Sequence, residues 1–326
     1  MRAAVCPAYG PPEVVLVQDL PSPPLEPGKV RVRVGAAAVN FPDVLLVANE
    51  YQVSVPAPFI PGSEFAGVVE AIGSGVTGLG VGDRVSGTGL YGAFAEEVTV
   101  SVEATNRIPD GVDDRCAAAF GVAYRTAYHV LRSVAEVRQG DDLVVLGAGG
   151  GVGLAAVQIG VRLGATVTAV ASTTEKLDVA SSYGAKNVIN HRSADLRAAL
   201  RDILPGGADV VVDPVGGDLS EPALRALHWG GRFVTIGYAS GVIPRIPLNL
   251  VLLKGIRVLG FQFSEFAQRA PEERRRNDTE LFDLLAAGRI RPHIGASFQF
   301  DDVATALRHV AEGRAIGKVV LELEAT

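Results

Sequence analysis

Seven residues, Gly147-Ala148-Gly149-Gly150-Gly151-Val152-Gly153, follow the apolar run LVVL and precede LAAVQIGVRLG. Glycines at this spacing let the backbone approach a pyrophosphate and let a helix pack closely on a strand. The free N–H groups and positive dipole end at the helix start then face the anion. A glycine cluster by itself is also compatible with a tight turn. Here a strand precedes it, a helix follows it and a second strand ends near Ser172, which is the context of a dinucleotide-binding loop. No Gly-Lys-Ser/Thr follows, so a phosphate-only P-loop is excluded.

The end of the second strand selects the nucleotide. A carboxylate there accepts hydrogen bonds from an NAD ribose, whereas this chain offers Ala171-Ser172-Thr173-Thr174-Glu175-Lys176. Small hydroxyls and a cation suit a 2′-phosphate, which predicts NADPH. A solvated helix position is the alternative for Lys176. Glu175, in the first helical turn, is expected to face outward and favour the helix dipole.

Proton-handling candidates lie near the N-terminus. Asn40-Phe41-Pro42-Asp43 reads as a helix start, with an N-cap, an early proline and an acidic N3 residue. It reads equally as a polar contact to a nicotinamide or its ribose. Tyr51, in Glu50-Tyr51-Gln52, offers a phenol as proton donor to a developing oxyanion, against the alternative of a packing aromatic in a loop. The five histidines, at 129, 191, 228, 293 and 309, form no pair at metal-ligand spacing. Cys6 and Cys116 stand alone, which excludes a disulfide framework and a multi-cysteine zinc site. No serine occupies a Gly-x-Ser-x-Gly elbow.

Two domains must position these groups in a chain of 326 residues. The first third is β-rich: Val30-Arg31-Val32-Arg33-Val34 alternates, and Glu64–Ile72 and Gly82–Ser86 continue between glycine-rich turns. From Cys116 to Val137 the texture is helical, with Ala127, Leu131 and Val134 or Ala135 on one face. Strands then alternate with helices. Strands are expected at Asp142–Leu146, Thr166–Ala171, Val188–Ile189, Val210–Asp213, Phe233–Gly237 and Val258–Phe261. Helices are expected at Gly151–Leu163, Glu175–Tyr183, Leu196–Ile203 and Ser220–Leu227. This is the pattern of a parallel sheet covered on both faces, an α/β fold. After a charged helix, Pro271 to Ala287, a closing strand-helix-strand tail returns to antiparallel texture and is expected to complete the first domain.

The net charge of −6 argues against a nucleic-acid partner, and the mixed run Glu272–Arg276 reads as a solvated helix face. No signal peptide or membrane-length apolar run is visible, so a cytoplasmic protein without membrane association is expected.

The chain resembles a medium-chain dehydrogenase/reductase of the zinc-independent quinone oxidoreductase (zeta-crystallin-like) branch. The resemblance rests on VNFPDVLLVANEYQ, PFIPGSEFAGVVEAIGSGV, GDRV, the GGVG loop, VINHR, DPVGG, GYASG and the terminal GKVVL. It implies a GroES-like catalytic domain from residues 1–122 and 265–326, and a Rossmann cofactor domain from 123–264, with the active site in the cleft. It implies a homodimer, with Val258–Phe263 as a strand-pairing edge. Pyrophosphate contacts are implied at Gly150, Gly151, Val152 and Gly153, and adenine-ribose contacts at Ser172, Lys176 and His191. Gly237 and Tyr238 are implied along the cofactor, Phe261 at its nicotinamide end and Arg314 at a phosphate. Thr126, Val215 and Asn40 join this cofactor set, and Asn40, Asp43 and Tyr51 the catalytic one. Tyr51 matches a tyrosine associated with substrate protonation in enoyl-thioester reductases, whereas Leu45 replaces a tyrosine of many quinone reductases.

Zinc-dependent cousins carry a cysteine near Asn40 and a histidine where Ser63 stands in Pro61-Gly62-Ser63-Glu64. Without a metal, the implied reaction is hydride delivery from NADPH to an electron-poor acceptor, a quinone or an α,β-unsaturated carbonyl. An enoyl- or acrylyl-CoA reductase and a non-catalytic NADPH-binding protein are the alternatives.

Overall fold

The computed structural model describes Met1–Leu323, and the chain divides into two units, Met1–Val122 with the segment from Arg291 onward, and Ala123–Ile290. In the first unit the alternating valines and arginines form the start of a long strand, Lys29–Val39, with Val30, Val32 and Val34 buried. One edge of this strand pairs antiparallel with Glu64–Ile72. The other edge is shared: Lys29–Arg33 pairs with Glu97–Ser101, and Ala36–Val39 with the C-terminal strand Lys318–Glu322. The sheet continues through Arg84–Thr88 and Thr105–Arg107 on one side and Ile294–Gln299 on the other.

Val32, Phe65, Phe94, Leu307 and Leu321 belong to its core. The tail departs from the antiparallel expectation at one edge, because Ile294–Gln299 runs parallel to Lys318–Glu322. The helix Val303–Ala311 makes the crossover that a parallel pair requires.

The second unit holds six parallel strands in the order Asn187–Asn190, Thr166–Ala171, Asp142–Leu146, Ala208–Asp213, Leu227–Thr235 and Arg257–Gly260. Numbered along the chain this order is 3-2-1-4-5-6, the doubly wound arrangement whose strand order reverses between Asp142–Leu146 and Ala208–Asp213. Buried on both faces, the strands are nearly continuous apolar runs: Leu143, Val144, Val145 and Leu146 are all fully buried.

Several sequence-based boundaries shift. The helix expected to reach Leu227 ends at Arg225, since Leu227 opens the next strand. The helical stretch from Cys116 is broken into Asp114–Ala118 and Gly121–His129, followed by a π-helical turn at Val130–Val134. Its expected face is nonetheless inward, with Ala127, Leu131 and Ala135 buried. The second domain boundary also moves. Residues 265–290, expected in the first domain, fall in the second unit, where Arg125 forms a two-pronged pair with Asp278 and Tyr128 donates to Glu280. The strand expected to run to Phe261, and as a pairing edge to Phe263, ends at Gly260, and Phe263 opens the helix Phe263–Arg269.

Candidate functional site

In the second unit the strand Asp142–Leu146 leads into the glycine loop, and the helix Gly151–Arg162 starts directly after Gly150. The loop is tight for identifiable reasons. Gly147 has a φ of +62°, and a Cβ there would lie 2.6 Å from the Val215 side chain. A Cβ on Gly153 would overlap the Gly147 carbonyl, so the helix can pack this closely only with glycine. A Cβ on Gly149 would lie 2.5–2.7 Å from Lys176 Cβ, Cγ and Cδ, which places the lysine stem across the loop. Gly151, Val152 and Gly153 supply the helix-start N–H groups that an anion would meet, whereas the Gly150 N–H donates to the Gly147 carbonyl at 3.0 Å.

Lys176 reaches this position because Thr173 caps its helix, accepting the Lys176 N–H at 3.3 Å. Burial, and then the charge of Arg192, pull the Lys176 ammonium below its usual range. His191 is pulled down by burial and by Arg192 and Lys176. Lys176 and Arg192 therefore set two cations beside the His191 imidazole, past the ends of two adjacent strands. Ser172 is half-buried beside them. Glu175 is exposed, as expected, and its carboxylate is held below the usual range by its own backbone N–H and by Thr173. Arg192 was not among the sequence candidates, although it stands next to His191 in the same NHR motif.

The opposite wall is held by Asp213. Its Oδ1 accepts the N–H groups of Val215 and Gly216, both at 2.8 Å, and its Oδ2 accepts the Ser220 hydroxyl at 2.5 Å. The tightness of this turn brings Tyr238 against Gly216, where a Cβ would lie 2.8 Å from the tyrosine ring. Gly237 lies near the Pro214 carbonyl. Thr126 is half-buried on the helix Gly121–His129. Phe261 turns its ring inward, among His129, Phe263 and Phe266 at 5.6–6.4 Å. Arg314 lies in the first unit, exposed and paired with Glu312 at 2.8 Å.

The first unit contains a buried polar centre at the ends of three paired strands. Asn40 follows Lys29–Val39, Glu64 opens Glu64–Ile72 and Lys318 opens Lys318–Glu322. Lys318 Nζ donates to Asn40 Oδ1 and to Glu64 Oε1, each at 2.5 Å. Asn40 Nδ2 donates to Glu64 Oε1 at 2.9 Å and to Ser63 Oγ at 3.1 Å. Glu64 Oε2 accepts the Val122 N–H at 2.8 Å. The Asn40 amide is thus engaged at both ends by the protein itself. The helix Phe41–Ala48 begins where the sequence places it, with Asn40 N–H donating to Asp43 Oδ2 at 2.7 Å.

Asp43 is completely buried, and its Oδ1 makes no hydrogen bond. Burial pushes its pKa up to about 7, with a smaller upward push from Glu64, against the lowering effect of the Asn40 N–H, Ser63 and Lys318. Tyr51 packs against the core of this unit, and its phenol is pushed up by burial and then by Asp43. The Tyr51 oxygen accepts from Gln52 Nε2 at 3.3 Å. Ser63, Glu64 and Lys318 were absent from the sequence candidates. The available signal was a charged residue directly before an apolar strand in Glu64-Phe65-Ala66 and Lys318-Val319-Val320.

Family models match two segments: "Alcohol dehydrogenase GroES-like domain" over residues 26–110 and "Zinc-binding dehydrogenase" over 151–278. The chain is 35% identical to quinone oxidoreductase-like protein 2 of Bos taurus, covering 99% of this chain and 93% of that one. It is 36% identical to a quinone oxidoreductase of Pseudomonas aeruginosa, covering 96% and 97%. The Escherichia coli quinone oxidoreductase, solved in complex with NADPH, superposes with a TM-score of 0.92 at 27% identity, over 99% and 100% of the two chains. The residues present do not fit a zinc ion. Among the described residues no three His, Cys, Asp or Glu side chains are grouped to hold a metal, and Glu64 is already bonded to an ammonium. With its β-rich GroES-like unit and its doubly wound sheet, the chain belongs to the medium-chain dehydrogenase/reductase superfamily, among the quinone oxidoreductase-like proteins.

Proposed function

We propose that this protein is an NADPH-dependent reductase that delivers hydride to a quinone or an α,β-unsaturated carbonyl without a metal. The observation that carries the reading is Lys176 lying across the glycine loop, with His191 and Arg192 beside it. This group suits a ribose 2′-phosphate, and the helix-start N–H groups from Gly151 to Gly153 suit a pyrophosphate. The bound nucleotide supplies the hydride. Val215 and Tyr238, on the turn that Asp213 holds, line the loop's opposite wall. Tyr51 keeps its proton at neutral pH, because burial disfavours the phenolate, so its hydroxyl is available to protonate a developing oxyanion.

An acceptor that is already electron-poor needs no Lewis acid, in keeping with the Lys318-bonded centre at Asn40 and Glu64. The reading also includes a homodimer in the cytoplasm, formed through the exposed edge strand Arg257–Gly260.

The test is steady-state NADPH oxidation with 1,4-benzoquinone, a conjugated enone and an enoyl thioester, repeated with NADH and after chelation. Turnover is expected with NADPH and is expected to survive chelation. Lys176→Ala should weaken NADPH roughly ten- to a hundredfold, the cost of one charge-assisted bond, and NADH much less. Equal losses for both cofactors would remove Lys176 from the phosphate. Turnover confined to the thioester would make the protein an enoyl-thioester reductase, and no turnover with tight NADPH binding would make it a binding protein.

A further inference from the structure

The Lys318 ammonium is one of the most deeply buried charges in the first unit: its side chain is 4% exposed and that of its partner Glu64 is 1% exposed. A buried ion pair is expensive to assemble, and an apolar pair of similar volume is often as stable. Stability alone therefore gives little reason for it. Its geometry gives another. Lys318 donates to the acceptor end of the Asn40 amide, which leaves the donor end directed at Ser63 and Glu64. With the amide fixed in this sense, Asn40 stands at the head of the helix Phe41–Ala48 with its own N–H on Asp43. That helix ends in Asn49, in the left-handed region at φ +56°, and the chain then turns directly into Tyr51.

We propose that Lys318 is a positioning residue for Tyr51, acting through Asn40 and the helix Phe41–Ala48. This rests on the reading of Tyr51 as the proton donor. The ammonium makes no contact with the reacting atoms. It fixes the amide that anchors the helix, and the helix sets where the phenol lies. A displacement of the order of 1 Å in a reacting group lowers turnover by up to about 100-fold. The dependence on Tyr51 gives the proposal a signature. Loss of Lys318 should slow acceptors that need a proton delivered as the oxyanion forms more than it slows a quinone, whose reduced oxygen takes a proton from solvent.

The experiment compares wild type with Lys318→Met/Glu64→Gln, which removes both buried charges together, and with Lys318→Arg, which keeps the cation if the double variant does not fold. Turnover is measured with a conjugated enone and with 1,4-benzoquinone at saturating NADPH. Amide hydrogen exchange is followed over residues 40–52. The double variant is expected to lose roughly 10- to 100-fold in kcat on the enone and several-fold less on the quinone, with KM for NADPH unchanged. Exchange should quicken over 40–52, and Lys318→Arg should retain more enone activity than the double variant if both fold. Equal losses on the two acceptors, or no loss on either, overturn the proposal, because the pair then acts only in folding. If wild type turns over neither acceptor, the functional reading fails, and exchange over 40–52 decides on Lys318: unchanged protection overturns the positioning role and lost protection supports it.

Discussion

Half-buried His191 and fully buried Asp43 are both groups whose charged forms the protein disfavours, with opposite consequences for pH. His191 is held below its ordinary value by burial and by Arg192 and Lys176. In the free protein its neutral form is therefore favoured more than in an ordinary histidine. A 2′-phosphate placed among these three side chains favours the imidazolium and raises that pKa. Binding should then take up a proton, and NADPH affinity should increase as pH falls through the window between the two values. Calorimetry at pH 6 in buffers of different ionisation enthalpy is expected to show net proton uptake for NADPH and none for NADH. Equal uptake for both would place His191 away from the phosphate.

Asp43 is raised from 3.8 to about 7. The folded protein binds its proton more tightly than the unfolded chain, so stability falls as pH rises from about 4 to about 7 and stays lower above that. At about 1.4 kcal/mol per unit the full effect is between about 4 and 5 kcal/mol. Asn keeps an acceptor for the Asn40 N–H and has no charge to bury. Asp43→Asn is accordingly expected to stabilise the protein by about 1–4 kcal/mol at pH 8, with the gain fading toward pH 4. Denaturant unfolding at the two pH values checks this, and a pH-independent difference would contradict it.

Among the elements, the glycine loop separates two roles that a sequence motif presents as one. At Gly153 an added methyl group meets the Gly147 backbone carbonyl, which cannot move without unseating the helix from its strand. At Gly149 the same group meets only the flexible stem of Lys176. Gly153→Ala should therefore destabilise the second unit by several kcal/mol despite the higher helix propensity of alanine, about 1 kcal/mol over glycine. Gly149→Ala should leave the melting temperature nearly unchanged and weaken NADPH selectively, by displacing Lys176. Thermal melts and NADPH titrations of the two variants check the division, and similar melting temperatures would refute it.

The loop was legible because its determinants are local, a strand, glycines and a helix within about thirty residues of chain. The same locality explains why Asp142–Leu146, Thr166–Ala171 and Leu196–Ile203 have the bounds their apolar patterns predict. The polar centre was not legible as a unit. Asn40 and Lys318 are 278 residues apart, and only the pairing of Val39 with Val319 brings them together. The boundary at Ile290 was hidden for a related reason. Residues 271–286 show the charged face of a surface helix, while their attachment to Arg125, Tyr128 and His129 is made by three polar residues, Asp278, Glu280 and Asn277, beside the buried Leu281 and Leu285.

At the scale of the whole molecule, the second unit leaves a large apolar surface uncovered at one edge of its sheet. The helix Leu248–Lys254 buries only Leu250, while Leu248, Leu252 and Leu253 are 78%, 79% and 67% exposed. Trp229, 72% exposed, packs its ring near Gly255 at the end of this helix. The chain then enters Arg257–Gly260, which among the described strands pairs on one side only and carries the exposed Val258. An unpaired strand edge beside contiguous apolar side chains favours association, and a two-fold axis through such an edge lets the strand pair with its own copy while the leucines and tryptophans cover one another. The expected species in sedimentation velocity is a dimer at micromolar concentration. Leu252→Glu/Leu253→Glu introduces two charges per chain that would be buried at the interface, and burial of unpaired charge is costly enough to shift the equilibrium to monomer. Both residues are exposed, so the variant chain should keep its circular dichroism and its affinity for NADPH. A wild type that sediments as a monomer, or a charged variant that remains dimeric, would show that this face is not where two copies meet.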